Sequence, residues 1–335
     1  MENKNQSGVP GPGTPLFITA PPMKKLLFTL AALFCFTVAH AGDEPITLYT
    51  ATGDIHGMLM LPKGNTPCPV VLIIAGSGPT DMNGNSIGAR MTNNSLLFLA
   101  NGLAENGIAS VRYDKRGIGK SADAGGKEEE LRFDHYINDA AAWADKLGSD
   151  SRFSKVIIAG HSEGSLIGMV AAQRSKAVNA YISIAGCGSP AYEIIEKQLQ
   201  GNPEKIRNES AAICKELCQG RTVTDIPFYL MSLYRPSVQP YLISWFRYNP
   251  VNEIARLSIP VFIAQGDKDI QVGVDEAEKL HRALPNASCL VVKNMNHVLK
   301  HCDSDNMQLQ LMTYNNPDLP VKQELIEAIT DFIKR

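Results

Sequence analysis

The chain has 335 residues, with 32 Lys plus Arg against 34 Asp plus Glu, 44% hydrophobic residues and 20% charged residues. That length and apolar share suffice for one large core in a single α/β domain. So even a charge balance, with no long basic run, gives no sign of a nucleic-acid partner, and the one acidic cluster, Glu128-Glu129-Glu130, reads as a solvated surface turn.

Residues 1–22 are rich in Pro and Gly and read as a non-native or upstream extension outside the fold. Met23-Lys24-Lys25, an apolar run over 26–39 and the triplet Ala39-His40-Ala41 supply the three parts of a signal peptide, so residues 23–41 are expected to be cleaved near Ala41 and the rest exported, to the periplasm or beyond. Residues 42–45 end the run without a basic stop-transfer flank, so no stable membrane insertion is expected after cleavage. Cys68, Cys187, Cys214, Cys218, Cys289 and Cys302 then remain, an even number that permits disulfides in an oxidising compartment. Cys289 with Cys302 and Cys214 with Cys218 are the local candidates, although a spacing of four on a helix suits bridge geometry poorly, and plain buried thiols are the alternative.

The folded domain is expected over 42–335. Residues 46–51 and 55–61 read as two strands of an edge hairpin turning at Thr52-Gly53-Asp54. The run 69–75 is apolar throughout, as in a strand buried on both faces of a parallel sheet, and it ends in a loop, 76–85, crowded with turn formers. A helix over 94–106 stops at Gly107; a strand over 108–113 leads into Asp114-Lys115-Arg116-Gly117-Ile118-Gly119-Lys120-Ser121. This Gly-x-Gly lacks both a third glycine and a Walker lysine, so a structural Asp–Arg loop is the better reading than a phosphate cradle. A helix over 133–147, the strand ending at Gly160, the helix after it and a strand over 180–185 continue an alternation that predicts a mostly parallel sheet flanked by helices. Between 188 and 252 the rhythm breaks into helical pieces at 191–200 and 205–219 and an aromatic stretch with Phe228, Tyr229, Tyr234, Tyr241, Trp245, Phe246 and Tyr248. This is expected to be a helical cap whose aromatics pack or together line an acyl pocket. The sheet resumes at 259–265, followed by a helix over 274–284, a strand over 288–292 and an amphipathic helix over 321–333.

The alternation is organised around Val156-Ile157-Ile158-Ala159-Gly160-His161-Ser162-Glu163-Gly164, an apolar strand that turns sharply into a helix. Gly-x-Ser-x-Gly in that setting is a nucleophile elbow: the small flanking residues let strand and helix pass closely, and the serine is left at the sheet's tip. There the helix N-terminus favours negative charge and the Glu163 N–H is aimed at a developing oxyanion. A serine hydroxyl is a weak nucleophile and needs a base and an orienting carboxylate, which follow such an elbow in the order acid, then histidine. After the strand ending at Gln265, Asp269 is favoured over Asp267 as the acid, with Asp267 a turn former. His297 is favoured over His301 as the first histidine beyond the last strand, and His161 reads as packing that points away from the reacting face.

Gly76-Ser77-Gly78-Pro79-Thr80-Asp81, Asp114 to Ser121, Gly160-His161-Ser162-Glu163-Gly164, Gly266-Asp267-Lys268-Asp269 and Asn296-His297 occur in the order seen in the α/β-hydrolase superfamily, which the chain resembles from about residue 50 onward. Gly-Ser-Gly-Pro in place of the more usual His-Gly pair resembles bacterial carboxylesterases and the hydrolase-like domains related to prolyl oligopeptidases. The resemblance implies an α/β-hydrolase fold with a cap, a Ser162-His297-Asp269 triad working through an acyl-enzyme, and an oxyanion hole made by the Ser77 and Glu163 amides. It further implies a small-molecule ester as substrate, with a peptide substrate or a non-catalytic binding role as alternatives, and no cofactor. No His-Glu-x-x-His is present, and Cys214 and Cys218 lack a second ligand pair, so no metal is expected.

Overall fold

The computed structural model describes residues 42–64 and 67–335, so the expected extension and signal segment lie outside the described residues. β-branched and apolar runs form the strands β1 (Asp43–Thr50), β2 (Gly53–Met60), β3 (Cys68–Ile74), β4 (Ala109–Tyr113), β5 (Phe153–His161), β6 (Val178–Ile184), β7 (Val261–Gly266) and β8 (Ser288–Val292). They make one sheet in the order β1-β2-β4-β3-β5-β6-β7-β8. β1, β2 and β4 pair antiparallel at one edge, and every pairing from β4 through β8 is parallel.

Alternate residues of the central strands feed two cores, which is why these strands are apolar without a break. Val70, Leu72 and Ile74 of β3, with Val156 and Ile158 of β5, pack toward α2 (Phe133–Gly148) and α3 (Glu163–Arg174). Val71, Ile73, Ile157 and Ala159 pack on the other face, with α1 (Ser95–Glu105) and the C-terminal α11 (Gln323–Lys334).

Between β6 and β7, where the cap is expected, the described chain holds no strand but α4 (Ala191–Gln198), α5 (Glu204–Cys218), α6 (Met231–Tyr234), α7 (Gln239–Trp245) and α8 (Pro250–Ile254). α9 (Val274–Ala283) joins β7 to β8, and α10 (Met307–Tyr314), which the pattern of apolar residues does not announce, precedes α11. All six described cysteines are free thiols, with Cys68, Cys214 and Cys302 buried, so the two local pairings considered from the sequence are not formed. Among the described residues no helix is long and apolar enough to cross a membrane, and no group of three or more His, Cys, Asp or Glu is placed to hold a metal ion.

Candidate active site

Four strands of the parallel region deliver their carboxyl ends to one edge of the sheet, where ligands of open α/β sheets bind. The loop with Ser77 follows β3, Ser162 follows β5, Asp269 follows β7 and His297 follows β8. Ser162 has φ 55° and ψ −121°, a conformation L-residues rarely take, and its N–H donates to Ile184 O at 2.9 Å. Two glycines permit this turn by being bare. A Cβ on Gly160 would overlap the Gly164 carbonyl oxygen, and one on Gly164 would collide with Ile74 O and stand 2.7 Å from Ala75 O. Strand β3, the elbow and α3 therefore touch backbone to backbone.

Asp269 is fully buried at its side chain and accepts four hydrogen bonds: from Gln271 N at 2.8 Å, Val272 N at 2.9 Å, Gln265 Nε2 at 3.0 Å and His297 Nδ1 at 2.7 Å. Burial works to raise its pKa, but the His297 imidazole and the Val272 and Gln271 amides outweigh it and hold the carboxyl below its ordinary value. With Nδ1–H committed to Asp269, a neutral His297 presents Nε2 as an acceptor, the tautomer a general base requires. Asp267 instead accepts from Asn294 N at 2.6 Å in the turn, and His301 is exposed.

The third link differs in kind: among the described residues no hydrogen bond joins Ser162 Oγ to His297. What does connect the elbow to His297 is His161. Its Nε2–H donates to His297 O at 2.8 Å and its ring lies 4.9 Å from the His297 ring, centroid to centroid. Burial first, then the neighbouring His297, pushes the His161 pKa down to about 4, so it stays neutral and serves as a fixed strut. His161 is buried in packing, as expected, and does not line the cavity; what the sequence does not foretell is that it also braces the backbone of the histidine paired with Asp269. Nothing local in the sequence marks this role, which depends on a contact across 136 positions.

Ser77 and Glu163 both line the cavity that Ser162 faces, and among the described residues neither N–H meets a protein acceptor. A Cβ on Gly76 would sit 3.2 Å from Ser162 Cβ, so the Ser77 loop lies directly against the elbow. The loop's shape is set by side chains. Asp81 Oδ1 takes the Asn83 and Asn85 amides at 2.9 Å each, and Asp114 joins this loop to the next by accepting from Met82 N at 2.7 Å and Lys120 N at 2.8 Å.

The cavity has a volume of about 640 Å³ and is walled by Tyr136 and Leu166 from the sheet side and by Ile194, Leu233, Tyr241, Leu242 and Trp245 from the cap. Of the seven aromatics singled out in the sequence, Tyr241 and Trp245 line it. Phe228 is 93% exposed, Tyr234 is buried with its hydroxyl 2.7 Å from Ser210 Oγ, and Tyr248 donates to Asp134 Oδ1 at 2.6 Å.

Comparison with known proteins agrees with this architecture. The serine aminopeptidase, S33 family (Hydrolase_4) matches residues 88–241. Esterase EstD of Thermotoga maritima is 27% identical over an alignment of 282 positions that covers 80% of this chain and 64% of that protein, so the chain spans about 64% of the length of the curated relative it matches. Est1E of Butyrivibrio proteoclasticus, solved with bound ferulic acid, is 17% identical with a TM-score of 0.58, covering 87% of this chain and 100% of Est1E. The Pyrococcus furiosus esterase Pf2001 is also 17% identical, with a TM-score of 0.54 over 88% of this chain and 91% of its own. At such identities the likeness speaks for architecture, and with the sheet order and the elbow it fixes the chain as an α/β-hydrolase fold.

Proposed function

We propose that this protein is an exported serine carboxylesterase that works through an acyl-enzyme. The observation that carries the reading is the buried Asp269–His297 pair, set at the same sheet edge as a strained serine elbow whose two neighbouring amides lack acceptors. Ser162 Oγ attacks the ester carbonyl while His297 Nε2 takes its proton and Asp269 stabilises the resulting imidazolium. The carbonyl oxygen, now an anion, is received by the Ser77 and Glu163 N–H groups. Collapse expels the alcohol, which takes the proton from His297. Water, deprotonated by His297, then attacks the acyl-enzyme and releases the carboxylic acid and free Ser162. The open Ser162–His297 link is in keeping with this scheme, since catalytic hydrogen bonds commonly tighten only when substrate is bound.

The apolar and aromatic walls suit an uncharged acyl group, and the relative named an esterase supports ester cleavage. The description of the matching family favours a second reading, an aminopeptidase. Such an enzyme needs an available carboxylate for the substrate's ammonium group, yet the two acidic side chains lining the cavity, Glu128 and Glu163, are both engaged by cations, Arg235 and Lys115. The assay compares p-nitrophenyl butyrate with aminoacyl p-nitroanilides. Faster turnover of the ester, falling roughly 10³-fold or more in Ser162→Ala, is expected. Equal ester turnover by wild type and Ser162→Ala removes the reading, and preference for the anilide favours the peptidase. Export rests on the character of residues 23–41 and predicts a mature N-terminus near Gly42 in material secreted by the native host.

A further inference from the structure

Lys115 is 1% exposed, an unusual place for an ammonium group, and the scheme above makes no use of it. Its Nζ donates to Gly76 O at 2.6 Å and to Glu163 Oε1 at 3.0 Å, and it lies 4.8 Å from the centre of the Tyr136 ring. The identity of those two partners is the point. The Gly76 carbonyl belongs to the same peptide unit as the Ser77 N–H, and Glu163 carries the other free N–H at the start of α3. One buried cation therefore holds both amides that face the reacting carbonyl, one through its own peptide plane and one through its side chain.

We propose that Lys115 is the positioning residue of the oxyanion hole; the inference rests on the esterase reading above. A donor on the Gly76 oxygen fixes that peptide plane with its N–H toward Ser162 and polarises the amide, which strengthens the bond the N–H can give. The salt bridge to Glu163 ties the loop after β3 to the first turn of α3, so that the spacing of the two donors is set before substrate arrives. Asp114 reinforces the arrangement, because the carboxylate beside Lys115 grips Met82 N and so pins the far side of the same loop. Lys115 touches no reacting atom in this scheme; its effect falls on the transition state and not on ground-state binding.

Lys115→Met alone strands a carboxylate in the interior, so the test removes both charges in Lys115→Met/Glu163→Met and compares this with Lys115→Gln/Glu163→Gln, which keeps a donor for Gly76 O. The probes are p-nitrophenyl butyrate and an alkyl trifluoromethyl ketone, whose hemiketal oxygen requires the same two amides. For the Met pair the expected result is a kcat loss of about 30- to 100-fold with KM within about threefold and a matching rise in ketone Ki. The Gln pair is expected to recover much of this, to a loss of about tenfold, and that value read alone against wild type decides the matter if the Met pair does not fold. Folded variants with kcat and Ki within about threefold of wild type overturn the proposal, as does a loss confined to KM. A wild type without Ser162-dependent ester turnover instead overturns the functional reading, so the two failures are told apart.

Discussion

Around Ser162 the chain is held by backbone against backbone, whereas the helices that cover it between β6 and β7 are held to the sheet largely by side chains. At the elbow, Gly160, Gly164 and the ends of β3 meet with no room for a single added carbon. On the covering side, Arg235 and Ser237 reach Glu128, Tyr248 and Arg174 share Asp134, and Lys197 of α4 meets the buried Glu276, which also takes the Gly188 and Ser189 amides. Backbone contact admits almost no change and keeps the Ser162 side chain in place. Side-chain contact can be exchanged residue by residue, so on the esterase reading the covering helices are where substrate preference can vary without moving Ser162.

Gly160→Ala is expected to have the largest effect of any single change near the elbow. The new methyl meets the Gly164 carbonyl, and no side chain can move to relieve it. A loss of about 3 kcal/mol or more, or failure to accumulate as folded protein, is expected in urea unfolding, and a stable, active Gly160→Ala enzyme contradicts the packing described here.

His161 offers a break of similar size that can be approached by titration. Its folded pKa of about 4 lies below the ordinary 6.5, so the unfolded chain binds the extra proton between these values. The stability it contributes is complete above pH 6.5 and is lost as pH falls toward 4, by about 3 kcal/mol at most. Asp269 and Glu276, with lowered pKa values, add their own losses below the unfolded carboxylate range, while burial raises the Asp114 and Asp139 carboxyls, which act in the opposite sense, and the less buried His135 adds a smaller share; the difference between wild type and His161→Phe from pH 6.5 to 4.5 is therefore what reports on His161. Unfolding free energies of His161→Phe should be flatter across that interval than those of wild type; identical slopes deny His161 its buried, neutral state.

On the covering side the expected effects are small. Arg235→Ala removes an ion pair with Glu128 in which both side chains are about 40% exposed, and such pairs contribute on the order of 0–1 kcal/mol. Little change in melting temperature is expected, with a shift in KM of about threefold or less that is larger for bulky than for short acyl esters. A collapse in kcat would mean that the cap edge, like the elbow, is rigidly required.

Much of this architecture is legible along the chain because the signals are local. Unbroken β-branched runs announce β3, β5 and β7, and Gly-x-Ser-x-Gly announces the elbow by the bare residues it needs. Asp269 is distinguishable from Asp267 by its spacing beyond β7. Other features are silent for physical reasons. In α10 the apolar Met307, Leu309 and Leu311 fall at alternate positions and all are exposed, so no helical stripe exists to be read. Lys115 and His161 take their roles from partners 48 and 136 positions away, and no pattern in their neighbours encodes such contacts.

Whether Ser162 is the nucleophile is tested most directly by reaction of the folded protein with a fluorophosphonate, followed by peptide mass mapping. One adduct per chain on Ser162 is expected, forming at a rate that falls sharply in Asp269→Asn and absent from urea-unfolded protein. An unlabelled Ser162 in folded protein that hydrolyses esters, or an adduct on another residue that survives Ser162→Ala, contradicts a nucleophilic Ser162.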